Sequence, residues 1–362
     1  MKNTGIITFS ITLVFVLTAF STRAVCDEDV HLHGYGELHY GNTNKPGSTD
    51  RMDNHRLVLG WSHSFTDRIR FNAEIDFEHA AKEMELEFAF VDFLITPSFN
   101  VRAGSMLMPV GYMNEFHEPP LFNSVERPYV QKNIIPTSWQ EGGVGVFGRL
   151  AYSVRYRAYL VNGLDASQFK AGSGIRSGRH KVAESPSESM AVVGRVEHYG
   201  VEGLKLGLSG YRGNSGQGVD GIGDAPVTLI EADVRYSIKG IDLTGLFSQV
   251  NIGDTEKIHS VSGQTIGEKL TGSYVEAAYH AGKLFMPDDQ DIVVFARHEL
   301  FNTQAEVASG LSADPANDQT VTTLGVAYFP TPKVAVKCDI ENWENDKGDS
   351  WEQINFGLGY MY

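Results

Sequence analysis

Residues 69–78 read Ile-Arg-Phe-Asn-Ala-Glu-Ile-Asp-Phe-Glu, which puts Ile69, Phe71, Ala73, Ile75 and Phe77 on one side of an extended chain and Arg70, Asn72, Glu74, Asp76 and Glu78 on the other. A period of two without a fault predicts a β-strand with one apolar and one polar face. The same split recurs at 152–160, where Tyr152, Val154, Tyr156, Ala158 and Leu160 oppose Ser153, Arg155, Arg157 and Tyr159. It returns at 230–236 (Ile230, Ala232, Val234 and Tyr236 against Glu231, Asp233 and Arg235), at 334–341, and in the last segment, where Ile354, Phe356, Leu358, Tyr360 and Tyr362 share a face. The pattern predicts strands at 30–41, 54–65, 69–79, 84–95, 99–109, 143–150, 152–162, 189–198, 203–213, 227–238, 241–252, 271–284, 291–302, 319–329, 333–343 and 350–362, sixteen in all. No helical stretch separates them.

The connections alternate in length. Tight turns at 66–68, 96–98, 239–240 and 330–332 interleave with long polar loops near 43–53, 110–142, 163–188, 214–226, 253–270, 303–318 and 344–349. An even number of alternating strands, short turns at one end and long loops at the other predict an all-β fold, a transmembrane antiparallel β-barrel with short periplasmic turns and long extracellular loops. A secreted β-sandwich also alternates, but its two ends carry turns of similar length.

Composition supports this reading. Gly is 38 of 362 residues and aromatics are abundant (20 Phe, 15 Tyr, 4 Trp), as in antiparallel sheet, while 2 Cys exclude a disulfide scaffold. With 30 basic against 45 acidic groups the net charge is −15, which argues against nucleic acid as a partner. Residues 1–24 read as a signal peptide: Lys2 precedes an apolar run from Ile6 to Phe20, and Ala24 offers a small residue for cleavage. The run is too short to span a bilayer as a helix. Cleavage leaves 25–362 as the barrel, with 28 basic and 45 acidic groups.

The opening His33-Gly34-Tyr35-Gly36-Glu37-Leu38 resembles the first strand of outer-membrane porins related to the phosphate-selective porin O and P family. So do Arg102-Ala103-Gly104, Pro109-Val110-Gly111, 114–120 (Asn-Glu-Phe-His-Glu-Pro-Pro), Val125-Glu126-Arg127-Pro128 and 159–165. The resemblance implies a sixteen-stranded diffusion channel, in some members trimeric, in a Gram-negative outer membrane, surrounded by lipid and lipopolysaccharide. It also implies that the third loop, 110–142, folds into the lumen, where Glu115, His117, Glu118, Glu126, Arg127 and Lys132 would set a constriction. A plug or an extracellular cap, folded by Pro119, Pro120, Pro128 and Pro136 with Phe116, Phe122, Tyr129 and Trp139, is the other reading of this loop. Phosphate selectivity does not carry over, because the sequence shows no comparable run of basic residues. A last strand ending in Tyr362 resembles the signal read by the barrel-insertion machinery.

A barrel of this size needs a polar interior, so the polar face of each strand is expected to point inward. The pore-lining candidates are Arg56, Arg70, Glu74, Asp76, Arg102, Arg155, Arg157, Arg195, Glu231, Asp233, Arg235 and Arg297, with further acids at Glu37, Glu197, Glu276, Glu299, Asp339 and Glu341. Interleaved charges predict a wide, weakly selective passage for small hydrophilic solutes and ions, with a mild cation preference. Asp92 does not fit, since the register of 84–95 points it at lipid unless a bulge intervenes. His31, His33 and His39 share a face with Glu37, but strand alternation produces such spacing readily and no metal or other cofactor is assigned. No nucleophile-elbow, zinc-protease or phosphate-loop motif occurs. A barrel enzyme, an adhesin and an anion-selective channel of the same fold remain the alternatives.

Overall fold

The structure is a computed structural model that describes residues 30–362 apart from Tyr152; the signal segment and the strand position given to Tyr152 lie outside the described residues. The described chain forms β1 (Val30–Thr43), β2 (Arg51–Thr66), β3 (Ile69–Glu78), β4 (Glu83–Thr96), β5 (Phe99–Leu107), β6 (Gln140–Ala151), β7 (Val154–Asn162), β8 (Met190–Val201), β9 (Leu204–Gly213), β10 (Val227–Ile238), β11 (Ile241–Ile252), β12 (Gly267–His280), β13 (Asp291–Val307), β14 (Asp318–Thr331), β15 (Val334–Asn345) and β16 (Ser350–Met361). Each strand pairs antiparallel with its chain neighbours, and β1 pairs with β16 to close the barrel. Closure removes every sheet edge. The seam continues past β16, where the Tyr362 N–H donates to Gly34 O at 2.9 Å.

The burial pattern is that of a soluble protein turned inside out. On β10, Glu231 and Asp233 are 1% and 5% exposed while Ile230 and Val234 are 49% and 41% exposed. Leu208, Val275, Leu324 and Phe356 continue the exposed apolar face around the wall. An apolar outside and a charged inside suit a wall that faces lipid, and they contradict the sandwich alternative.

The alternation is reset at several points, and two of them, on β4 and β2, bear on the interior. On β4 the pairing steps from Glu74↔Phe88 to Ile75↔Leu86, so Glu87 is the extra residue of a bulge. Beyond it Phe88, Phe90 and Asp92 take the inner face, and Asp92 meets Arg102 at 2.7 Å instead of facing lipid. This corrects the register read from the sequence, for the physical reason that one inserted residue exchanges the two faces of a strand. On β2 the pairing skips His55 between Glu37↔Arg56 and Leu38↔Asn54. That bulge is taken up again below.

Three connections depart from a strict split into short turns and long loops. β12 begins at Gly267 and ends at His280, so 281–284 form a 3₁₀ turn in a ten-residue connection at the short-turn end. At the other end the 79–82 and 346–349 connections are themselves short. The longest inserts are 108–139 and 163–189, here loops L3 and L4.

Candidate functional site: the barrel interior

Charges on the inner wall neutralise one another strand to strand. Arg56 lies 3.2 Å from Glu37, 3.6 Å from Asp76 and 3.3 Å from Glu78. Arg195 on β8 meets Glu231 at 3.0 Å and Asp233 at 2.5 Å, both on β10. The intervening β9 presents Gly207 between them, and a Cβ there would overlap both the guanidinium and the Asp233 carboxylate. Arg235 lies 3.3 Å from Asp233, and Arg297 lies 2.8 Å from Glu299 and 3.2 Å from Glu276. Glu74 accepts from His33 at 3.0 Å. Arg102 stacks over Phe90 as well as pairing with Asp92. Arg70 and Arg155 are exposed near the short-turn end, Arg155 over the Tyr199 ring at 5.0 Å. Its neighbour Arg157 bridges Glu115 at 3.1 Å and Glu197 at 2.6 Å.

L3 crosses the interior and is tied to the wall on several sides. The Gly111 N–H faces Ser209 Oγ and Glu231, both at 3.3 Å. The Val125 N–H donates to Asp339 at 2.6 Å, the Val130 N–H to Glu299 at 3.0 Å and the Tyr129 hydroxyl to Glu341 at 2.9 Å. Lys337 reaches up to the Pro119 and Ser124 carbonyls at 2.6 and 2.9 Å. On the β1 side His117 stands 2.8 Å from the Tyr35 hydroxyl and 3.2 Å from Glu87, and Glu126 stands 3.2 Å from His39. Of the remaining loop candidates, Glu118 is half-buried, Lys132 is exposed with Glu126 at 4.0 Å, and Arg127 donates to Ser138 Oγ at 3.4 Å. Burial opposes the charge on Glu126, but its bond to His39 and the nearby Lys132 and His39 charges hold its carboxyl well below the usual range. Burial pushes Glu115 up in spite of Arg157 and Arg102.

These ties bring an apolar surface with them. Met108, Val110, Val130, Ile134, Ile135 and Trp139 of L3 have no water contact and form one cluster with inward side chains such as Tyr159, Tyr211, Leu229, Val250 and Leu270. Leu164, Phe169 and Ile175 of L4, Ile222, and Ile258 join from above. The long-loop half of the interior over β5–β14 is therefore packed side chains, and the wide water-filled bore expected from the sequence is not present there. The short-turn half stays open. A cavity of about 710 Å³ lies between Tyr112, Phe116, Arg155, Lys205, Arg235 and His280, and a second of about 420 Å³ adjoins Arg102, Glu115 and Arg157.

One small polar gap of about 60 Å³ remains at the long-loop side, where Arg56, Arg127, Arg176, Arg179 and Lys181 meet Glu78, Glu85 and Glu87. Arg176 donates to Lys132 O at 3.3 Å and to Thr137 O, Arg179 to Pro136 O at 3.0 Å and to Ser138 O, and Lys181 pairs with Glu85. Burial and then the charges of Arg179 and Arg127 push Arg176 down to about 9. Sequence reasoning missed the three L4 cations. They lie within six residues, 176–181, a basic cluster visible in the sequence, and the folding of L4 onto L3 carries it to Glu78, Glu85 and Glu87.

The histidines also regroup. His33 and His39 are occupied by different carboxylates, Glu74 for the first and Glu37 at 3.0 Å for the second, and His31 takes part in neither contact.

An "uncharacterized protein" of Aquifex aeolicus is 34% identical over 340 residues, spanning 89% of this chain and 77% of that one. No family model matches the chain. Among solved structures, the anion-selective porin from Comamonas acidovorans is similar with a TM-score of 0.61 at 13% identity, over 93% of this chain and 100% of the porin. OmpT, an outer membrane protein of Vibrio cholerae in a trimer form, is similar with a TM-score of 0.60 at 11% identity, over 92% and 99% of the two chains. At such identities what is shared is the sixteen-stranded barrel.

Proposed function

We propose that this chain, which belongs to the same family as the Aquifex aeolicus protein, is an outer-membrane porin through which small hydrophilic solutes and ions diffuse passively. The observation that carries the reading is L3, drawn across the lumen and bonded to β1 on one side and β10 on the other, with an open cavity beneath it and a small charged gap beside it. The exposed apolar wall supports a position in the outer membrane of a Gram-negative bacterium, in contact with lipid and lipopolysaccharide, the short turns facing the periplasm. The trimer form of OmpT supports a homotrimer.

Selectivity in this reading is first by size and only weakly by charge. Five cations and three carboxylates line the gap, so opposite signs face each other across it, and most of the wall charges are paired. Kinship with the phosphate-selective porin O and P family is part of the proposal and rests on 33–38, 102–104, 109–111, 114–120, 125–128 and 159–165; phosphate selectivity is not. Arg56, Arg102, Arg155, Arg157, Arg235 and Arg297 border the cavities of this route and Arg70 stands at its short-turn end, while Glu74, Asp76, Arg195, Glu231 and Asp233 are buried in the paired wall around it; Glu115, His117, Glu118, Glu126, Arg127 and Lys132 are assigned to its constriction. No enzymatic step is proposed. Liposomes carrying the refolded protein should swell in small sugars, with rates that fall steeply as the sugar grows. Swelling no faster than that of protein-free liposomes would contradict the reading.

A further inference from the structure

The β2 bulge at His55 places Asp53 and His55 on the inner face with Arg56, and the β3–β4 connection begins at His79 directly opposite, its N–H donating to His55 O at 3.1 Å. Asp53 Oδ2 lies 3.2 Å from His55 Nδ1 and 2.7 Å from His79 Nδ1, and one donor atom from each residue falls within 4.8 Å of the others. The rings of His55 and His79 stand nearly perpendicular, at 77°, with centroids 5.5 Å apart. His39 stacks on His55 at 4.7 Å and is itself fixed between Glu37 and Glu126, so the His55 ring is held in place from behind. All three side chains are partly open to solvent, from 24% to 39%.

We infer that Asp53, His55 and His79 form a binding site for a divalent transition-metal ion at the long-loop rim of the lumen. Two imidazole nitrogens 3.2 and 2.7 Å from one carboxylate oxygen, with one donor atom of each residue within 4.8 Å of the others, can close around a common ion about 2.0–2.2 Å from each, with solvent completing the shell. Imidazole donors select zinc, nickel or copper over calcium and magnesium, which prefer oxygen alone. Each imidazole would bind through Nδ1, giving up the contact it now makes with Asp53 and keeping Nε2 protonated. The two histidines lie 24 positions apart in the sequence, one on a bulge and one on a turn, which is why strand alternation did not reveal them.

The inference stands on the folded barrel and does not depend on conduction. Untagged, refolded full-length protein is titrated with zinc chloride by calorimetry, and the cobalt-loaded form is read by its visible absorption. About one ion should bind per chain, and Asp53→Asn and His79→Gln should each weaken binding at least about tenfold, while His31→Gln should leave it unchanged. Heat-modifiable migration of each variant confirms that it has folded. No saturable binding by the unmodified protein, or unchanged affinity in folded Asp53→Asn and His79→Gln, would overturn the assignment.

Discussion

Arg195 illustrates how single residues hold this wall together. It is about 2% exposed and serves Glu231 and Asp233 across a strand whose Gly207 leaves the space open. Splitting a buried pair by removing contact between partners costs about 3–5 kcal/mol. Gly207→Val should therefore lower the temperature at which the compact, unboiled band is lost, while Gly210→Ala, whose Cβ meets nothing closer than 3.9 Å, should not. Arg155 and Arg157 face the open lower cavity, where the field of two cations adds. Changing both to Ala should raise the cation-to-anion permeability ratio, the more so because Glu115 loses its ion-pair partner, while Glu197 keeps Arg195 and Arg235. Reversal potentials at low and high salt check this, since screening should shrink the effect. At this scale the sequence was only partly legible. The pairing of Arg102 with Asp92 was hidden by the bulge at Glu87, because one extra residue inverts a face without changing the composition that reveals a strand.

Strands were the most legible elements, since an apolar lipid face on one side and charge on the other writes a period of two into every one of them. Their ends were less so: β13 runs on to Val307 because its last turns pair with the start of β12, although the sequence there has turned polar. Loops were least legible. Nothing in the spacing of Ile134, Ile135 and Trp139 distinguishes a cap from a plug, and only contacts across the barrel decide it. Among these contacts Glu126 with His39 is sensitive to pH. Because the folded carboxyl titrates below its ordinary range, the stability it lends L3 is present at neutral pH and is lost only as pH falls through that lowered value. Closure noise in single channels should accordingly stay constant down to about pH 4.5, the ordinary glutamate value, and rise below it. Glu126→Gln should show the raised noise at every pH; noise that changes between pH 7 and 6 in the unmodified protein would count against this tie.

The whole molecule is a closed sheet whose seam joins the two ends of the described chain, from Gly34 to Tyr362. Closing it requires the last strand to be placed against the first, with Phe356, Leu358 and Tyr362 exposed on the lipid side. Tyr362→Asp should sharply reduce the heat-modifiable protein recovered from outer membranes, and normal recovery would show that insertion does not read this residue. The account rests most heavily on L3 as the element that narrows the lumen. The measurement that tests it most directly is single-channel conductance in a planar bilayer, for the unmodified protein and for a variant in which 115–135 is replaced by a short Gly-Ser linker. The account predicts small discrete steps for the first and steps several-fold larger for the second. Equal conductances, or no steps from either folded protein, would contradict it.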